Sequence, residues 1–228
     1  MKNPHSVVCV IPSRSQGDQI NNLNFLYVGN KMLLEYSIIS AIESNIYKKI
    51  YVIFDNLKLK NFFEKKYNIK GIVDTKRNVD FTKLIKKYKK KYFDMYNYIC
   101  VLFPNSPFKN QKTLRNMYLQ MKKKNLNFLV SGCVEKNKHY FRNSKRYIKI
   151  SKKKNVNESK IFYISGGINF FKNKFDNYDD YTNDIRDKNF YTLNHHEGFS
   201  IYTLYDLILA STINDIDYSI FTNLLKKR

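Results

Sequence analysis

Alanine and arginine are the scarce residues of this chain. Only Ala41 and Ala210 occur in 228 residues, and just seven of the 41 basic residues are Arg, the rest being Lys. Asn, Ile, Tyr and Phe are abundant instead, a choice that follows A/T-rich codons. The formal charge of +22 would suggest a nucleic-acid face, because a basic surface recruits phosphates. Arg is the better phosphate fork, however, and no nucleic-acid recognition motif is present. The Lys-rich stretches at 86–91 and 122–124 therefore read as solvated helix faces, and nucleic acid is set aside as a partner. Cysteine is also sparse. Cys9, Cys100 and Cys133 each lie in an apolar run without CxxC or metal-ligand spacing, so they read as small reduced core residues. No apolar run approaches the ~20 residues of a membrane span. Pro4 and His5 ahead of a short apolar run do not make a signal peptide. A cytoplasmic protein with no membrane partner is expected, and internal repeats are absent.

What is present is a core. A hydrophobic share of 43% and an aromatic share of 16% suit one globular domain over residues 1–228. Val7 to Ile11 is a β-branched run ended by Pro12 and predicts a strand buried on both faces. Leu34, Ile38, Ala41 and Ile42 then recur at helical spacing between Lys31 and Asn45, and Ile50 to Phe54 is a second β-branched run, which completes a βαβ unit. The alternation continues with a helix over 57–67, a strand over 69–73, a Lys-rich helix over 81–93 and a strand over 98–103. A helix over 111–124 and a strand over 128–133 follow. This pattern predicts an α/β fold, a mostly parallel sheet covered on both faces, with ligands bound beyond the carboxyl ends of the strands. Residues 135–159 break the pattern as a Lys- and Asn-rich excursion, an arm or partner surface. Ile161 to Phe171 resumes the core around Gly166 and Gly167, and a helix over 202–213 closes the chain.

The stretch "IPSRSQGDQINNLNFLYVGNKMLLEY", Ile11 to Tyr36, resembles the acylneuraminate cytidylyltransferase family, whose loop reads like IPARSGSKGIPGKNLRPLGGKPLLEY. The resemblance extends along nearly the whole chain. "YVIFD" (51–55) is similar to a VVSTD strand end, "LFPNSPFK" (102–109) to LQPTSPLR, and "FLVSGC" (128–133) to SVVSVC. "YISGGINFF" (163–171) is similar to YxxNGAIYI, and "FSIYTLYDLILA" (199–210) to IDIDTEEDFELA. It implies a three-layer, nucleotide-diphospho-sugar transferase-like (Rossmann-like) fold. The implied chemistry is attack of a sugar hydroxyl on the α-phosphate of CTP with loss of pyrophosphate. The sugars are nine-carbon acids of the sialic, pseudaminic or legionaminic type. That chemistry gathers negative charge on phosphates and calls for Arg, Lys and Mg²⁺.

Carried over residue by residue, the resemblance assigns Arg14 and Asn24 to catalysis. It assigns Arg14, Ser15, Asn24, Pro104 and Ser106 to the nucleotide, and Phe103, Asn105, Ser165 and Gly166 to the substrate. Several positions depart from the pattern. Asp18 and Leu23 stand where the two loop lysines belong, and Gln16 alters the same loop. Phe103 and Asn105 replace a Gln and a Thr, and Ser165 replaces the Asn of the NGA motif. Ser200 and Tyr202 stand where two aspartates hold the metal, so no carboxylate is offered to Mg²⁺ there. Asp206 remains but reads as structural. Arg77 could be the remnant of a shortened Arg-Pro segment.

Other residues have plainer readings beside functional ones. Asp55 is a strand-end turn residue or a catalytic carboxylate, and Arg14 is a phosphate ligand or a loop residue paired with an acid. His195, His196 and Glu197 read as a surface turn rather than a metal site. Gly166 and Gly167 read as a bulge, Pro104 and Pro107 as turn formers, and Leu34, Tyr36 and Ile38 as core. The resemblance also implies a homodimer built through 135–159, with Tyr140, Phe141, Tyr147 and Ile150 packing across subunits. The residues alone leave two readings open: a divergent CTP-using transferase with Mg²⁺ as its cofactor, or an inactive relative kept as a binding or regulatory partner of another protein.

Overall fold

The computed structural model describes residues 6–13, 15, 20–75, 81–136, 140–143, 146–149, 160–174 and 186–215. Eleven strands and five helices of eight or more residues are found among them. β1 (Val7–Pro12), β4 (Tyr47–Phe54), β5 (Lys70–Val73), β6 (Tyr98–Leu102), β7 (Phe128–Lys136), β10 (Lys160–Lys172) and β11 (Phe190–Thr192) form one seven-stranded sheet. Its order is β11-β7-β10-β6-β1-β4-β5. The pairs β1–β4, β1–β6, β4–β5 and β7–β11 are parallel. Only β10 runs against its neighbours β6 and β7. The expected α/β architecture with a mostly parallel sheet is thus the one observed.

β1 shows why the middle of the sheet is apolar throughout. Val7, Cys9 and Ile11 face one side and Val8 and Val10 the other, since successive side chains of a strand alternate. The first side is covered by α1 (Leu33–Ser44) and α4 (Gln111–Lys123) through Leu34, Ile38, Leu114, Met117 and Met121. α2 (Leu57–Lys66) adds Phe63, which stacks on Phe54. The second side is covered by α3 (Phe81–Tyr88) and the π-helical turn that follows it, through Leu84, Ile85 and Phe93. This makes a three-layer sandwich. All three cysteines are buried and free.

A third, smaller cluster lies at the carboxyl end of the sheet. Val28 and Leu33 meet Ile201 and Ala210 there, joining the hairpin β2–β3 (Tyr27–Val28, Lys31–Met32) to α5 (Leu204–Asp215). Two readings of α1 change. Ile42, grouped with the helical stripe, is 40% exposed, because at a 100° step it falls to the solvent edge of the stripe formed by Leu34, Ile38 and Ala41. Tyr36 is only partly buried, and its hydroxyl donates to the Val28 carbonyl at 2.5 Å and lies 2.9 Å from Asn214 Oδ1. Of the 135–159 excursion, the described part beyond β7 is a hairpin, β8 (Tyr140–Asn143) with β9 (Arg146–Lys149). The side chains of Tyr140, Phe141 and Tyr147, and all of Ile150, lie outside the described residues. Among the described residues no helix is long and apolar enough to cross a membrane.

Candidate functional site

Three parallel strands, β1, β4 and β6, end side by side, and the loops that leave them build a mouth. The first loop begins at Ser13, whose amide donates to the Ile53 carbonyl. It is anchored by Asp55 at the end of β4. Oδ2 of Asp55 accepts from the Ser15 amide at 2.9 Å and from the Ser15 hydroxyl. The Asn22 amide donates to the Ser15 carbonyl and closes the loop. Of the two readings of Asp55, the strand-end anchor is the one this geometry displays. Its other oxygen, Oδ1, is buried without a hydrogen-bond partner among the described residues. Arg14, Gln16, Asp18 and Arg77 lie outside the described residues.

Asn24 sits half-buried in a 3-10 turn, Leu23–Phe25, that leads into the hairpin. Leu23, at the second lysine position of the resemblance, packs on the Val28–Leu33–Ile201 cluster. An apolar side chain suits that place, and a charged one would be desolvated.

The second loop, Phe103–Lys109, follows β6. Pro104, Ser106, Pro107 and Lys109 are buried. The Phe103 amide donates to the Gly167 carbonyl, which ties the loop to β10. There the register slips between Ile164 and Asn169, and Gly166 and Gly167 take φ of 73° and 58°. The two glycines therefore form a bulge. At Gly167 a Cβ would lie 2.9 Å from Phe103 Cβ, so only glycine allows β10 and the loop to approach this closely.

Two residues expected at the substrate turn elsewhere. The Phe103 ring packs edge-on to Phe81 at 5.0 Å and 89°. Ser165 is buried, its hydroxyl donating to Cys133 Sγ at 3.3 Å and its carbonyl accepting from Ser131. In both cases the apolar or bulged setting of the strand directs the side chain into the protein rather than into the mouth. Asn105 and Ser106 instead reach across the mouth. The Asn105 carbonyl accepts from the Ile201 amide at 2.8 Å, and the Ser106 and Ser200 hydroxyls are 2.7 Å apart.

Ser200 and Tyr202, the replaced metal positions, frame the start of α5. Asp206 forms a capping box with Thr203. Its Oδ2 accepts from the Tyr202 and Thr203 amides at 3.0 and 2.8 Å, and Thr203 Oγ1 accepts from the Asp206 amide at 3.2 Å. Partial burial would raise the Asp206 carboxyl, but these donors outweigh it and hold the group below the usual carboxylate range. This carboxylate is therefore committed to the helix. Mg²⁺ seeks several oxygen ligands, carboxylates first. Asp206 is spent, Ser200 is paired, and among the described residues no three His, Cys, Asp or Glu side chains come together. The motif position does not fit Mg²⁺.

Beside the second loop a groove of about 640 Å³ runs between α1, the start of α4 and the 194–197 turn. Lys31, Tyr36, Lys112, Asn194, His196 and Glu197 are among its lining. His195 and His196 lie on the exposed turn expected for them. His196 stacks on Phe108 with centroids 4.4 Å apart, and burial depresses its pKa against the opposing pull of Glu197. Glu197 accepts from Thr113 Oγ1 at 2.6 Å and from Asn194 at 2.9 Å.

The residue that sequence reasoning passed over is Lys109. It ends the "LFPNSPFK" match, which assigns it no role. In the fold its side chain points inward, and its Nζ donates to the Phe103 carbonyl at 2.5 Å and to the Ser106 carbonyl. Two prolines before it and apolar β6 behind it were the available signal.

No protein-family model and no curated protein matches this chain. Solved structures do. CMP:2-keto-3-deoxy-manno-octonic acid synthetase, complexed with CTP, superposes with a TM-score of 0.70 at 11% identity, over 92% of this chain and 98% of that one. The 4-diphosphocytidyl-2C-methyl-D-erythritol synthase of Anaerococcus prevotii superposes at 0.67 and 14% identity, over 94% and 98%. The bifunctional IspDF of Campylobacter jejuni gives 0.63 and 15%, over 89% of this chain and 53% of its own. The architecture of this chain is thus the nucleotide-diphospho-sugar transferase-like fold found in cytidylyltransferases.

Proposed function

We propose that this protein is a cytidylyltransferase-like protein that binds CTP at the mouth of β1, β4 and β6, with an acidic nine-carbon sugar as the acceptor. The observation that carries the reading is the coincidence of two independent facts. A chain-long match to the fold of a synthetase solved with CTP stands beside the motif stretches 11–36 and 102–109, which leave the ends of the neighbouring strands β1 and β6. In this reading Arg14 and Ser15 serve the triphosphate, and Asn24, Pro104 and Ser106 complete the nucleotide pocket. The polar groove beside Phe108 has the hydroxyl and amide lining that a hydroxyl-rich acceptor requires.

A second reading has its own support, namely a homologue that binds but does not turn over, acting on a protein partner. Ser200, at one metal position, is paired with Ser106, and Asp206, the nearest carboxylate in the helix that follows, with Thr203, so both groups are engaged with the protein itself. Calorimetric titration of CTP, with UTP as control and with and without Mg²⁺ or Mn²⁺, tests the shared claim. CTP-selective binding supports the site, and its absence from folded protein overturns it. Pyrophosphate release with sialic, pseudaminic, legionaminic or 2-keto-3-deoxy-manno-octonic acid then separates the two readings. Release supports the transferase, and binding without release supports the inactive homologue.

A further inference from the structure

The loop Phe103–Lys109 poses a problem of backbone accounting. Pro104 and Pro107 bring no N–H groups, while the carbonyls of Phe103 and Ser106 turn inward, and buried carbonyls need donors. One side chain meets both. Lys109 Nζ donates to the Phe103 and Ser106 carbonyls and lies 3.3 Å from Ser37 Oγ on α1. The backbone of the same residue is held as well, its carbonyl accepting from Ser40 Oγ at 2.7 Å. Lys109 is only 5% exposed, and Ser37 and Ser40 are buried with it.

We infer that Lys109 is the positioning residue of the mouth, a buried cation that folds the Phe103–Lys109 loop around itself and ties it to α1. The consequence reaches across the site. Ser106, held from below by Lys109, meets Ser200 above, and Asn105 takes the Ile201 amide. The lysine thus sets the spacing between the loop and the segment before α5.

A buried lysine is a costly brace, since an apolar residue would fill the space without desolvating a charge. Among the described residues the titratable groups that act on it are not carboxylates but the thiols of Cys9 on β1 and Cys100 on β6, and the latter accepts from the Tyr47 hydroxyl on β4. Burial pushes both thiols up, so they are neutral near pH 7. The same burial brings the Lys109 ammonium down to about 7. A neutral amine still donates two N–H groups to the carbonyls and can accept from the Ser37 hydroxyl. Deprotonation therefore weakens the brace, which loses its charge-assisted bonds, without abolishing it.

The test uses the full chain with Lys109→Met and Lys109→Arg, read by amide hydrogen exchange. In the Met variant the Ser106 and Ile201 amides should exchange at least ~10-fold faster, while β1 and β4 amides keep their rates. Arg should restore much of the protection. Wild-type rates at Ser106 and Ile201 in the Met variant would overturn the inference. If that variant does not fold, the wild type decides. A 13Cε titration of Lys109 with its midpoint near 7, shared by the Ser106 and Ile201 amide shifts, supports it. A midpoint in the ordinary lysine range near ~10, with those amides silent, overturns it. These readouts need no nucleotide, so a failure to bind CTP would count against the proposed site and leave the loop result standing.

Discussion

The loop after β6 is held from below by a buried cation, whereas the segment leading into α5 is held from within by a capping box and from the side by one serine pair. The first has its proline frame, its glycine bulge and its tie to α1. The second is an exposed turn, with Tyr202 59% exposed. The contrast separates two kinds of motif position. Where a residue fixes the path of the backbone, changing it costs the fold. Where a residue only carries a functional group on an exposed turn, the group can go and the fold remains. Phe103–Lys109 resembles its motif in shape, and Ser200 to Asp206 resembles its motif in position but not in chemistry.

The largest effect is expected where the first loop type is attacked. Gly167→Val would force a β-branched residue to φ 58° with its Cβ against Phe103, at a cost of ~3 kcal/mol or more. A urea unfolding curve measures it, and an unchanged midpoint would mean that the bulge and the loop are not coupled. The second loop type should bend to replacement. Ser200→Asp with Tyr202→Asp is expected to lose ~1–2 kcal/mol without metal, because a carboxylate at position 200 breaks the hydroxyl pair with Ser106 and brings charge to a buried hydroxyl. The double variant should recover stability in Mg²⁺ or Mn²⁺, read as a rise in Tm that wild type lacks. No metal-dependent rise would show that the spacing of the mouth has changed along with its side chains. A milder probe is Ser106→Ala, which removes one hydrogen bond worth ~1 kcal/mol and should loosen the Ile201 amide, as hydrogen exchange would report.

The same division explains what was legible in the sequence. β1, β6 and the second half of β4 are short apolar runs with several β-branched residues, and α1 and α4 carry apolar stripes, so a covered parallel sheet follows from periodicity. The antiparallel course of β10 does not, because "IFYISGGINFF" is equally apolar in either direction and only its partners decide. β11 is three residues long and pairs at an edge, too short to carry a period. Ile42 shares the helical spacing of its neighbours yet lies past the edge of their stripe. At the site, motif positions indicated where the mouth would be but not where side chains would point. Phe103 and Ser165 turned inward to Phe81 and Cys133. Lys109 was missed because its burial depends on two carbonyls that no pattern of side chains encodes.

The smallest effect tests whether the capping box alone keeps the second segment in place. Asp206→Ala removes the carboxylate that accepts from the Tyr202 and Thr203 amides, and a lost helix cap costs ~1 kcal/mol. The sign of its pH dependence follows from the direction of the shift. The carboxyl is lowered in the folded protein, against ~3.9 for an unperturbed Asp. Its stabilisation is therefore fully present above about pH 4 and fades as pH falls through the folded value. The gap between wild type and variant in urea unfolding should be constant near neutrality and close in acid. A gap that persists at about pH 2, well below the unperturbed value, would assign the effect to packing rather than charge. A gap absent at neutral pH would mean that Ile201 and Ala210, buried against Val28 and Leu33, hold the start of α5 unaided. In that case Asp206 would be free to serve as a ligand, and the engaged carboxylate would cease to distinguish this segment from a metal motif.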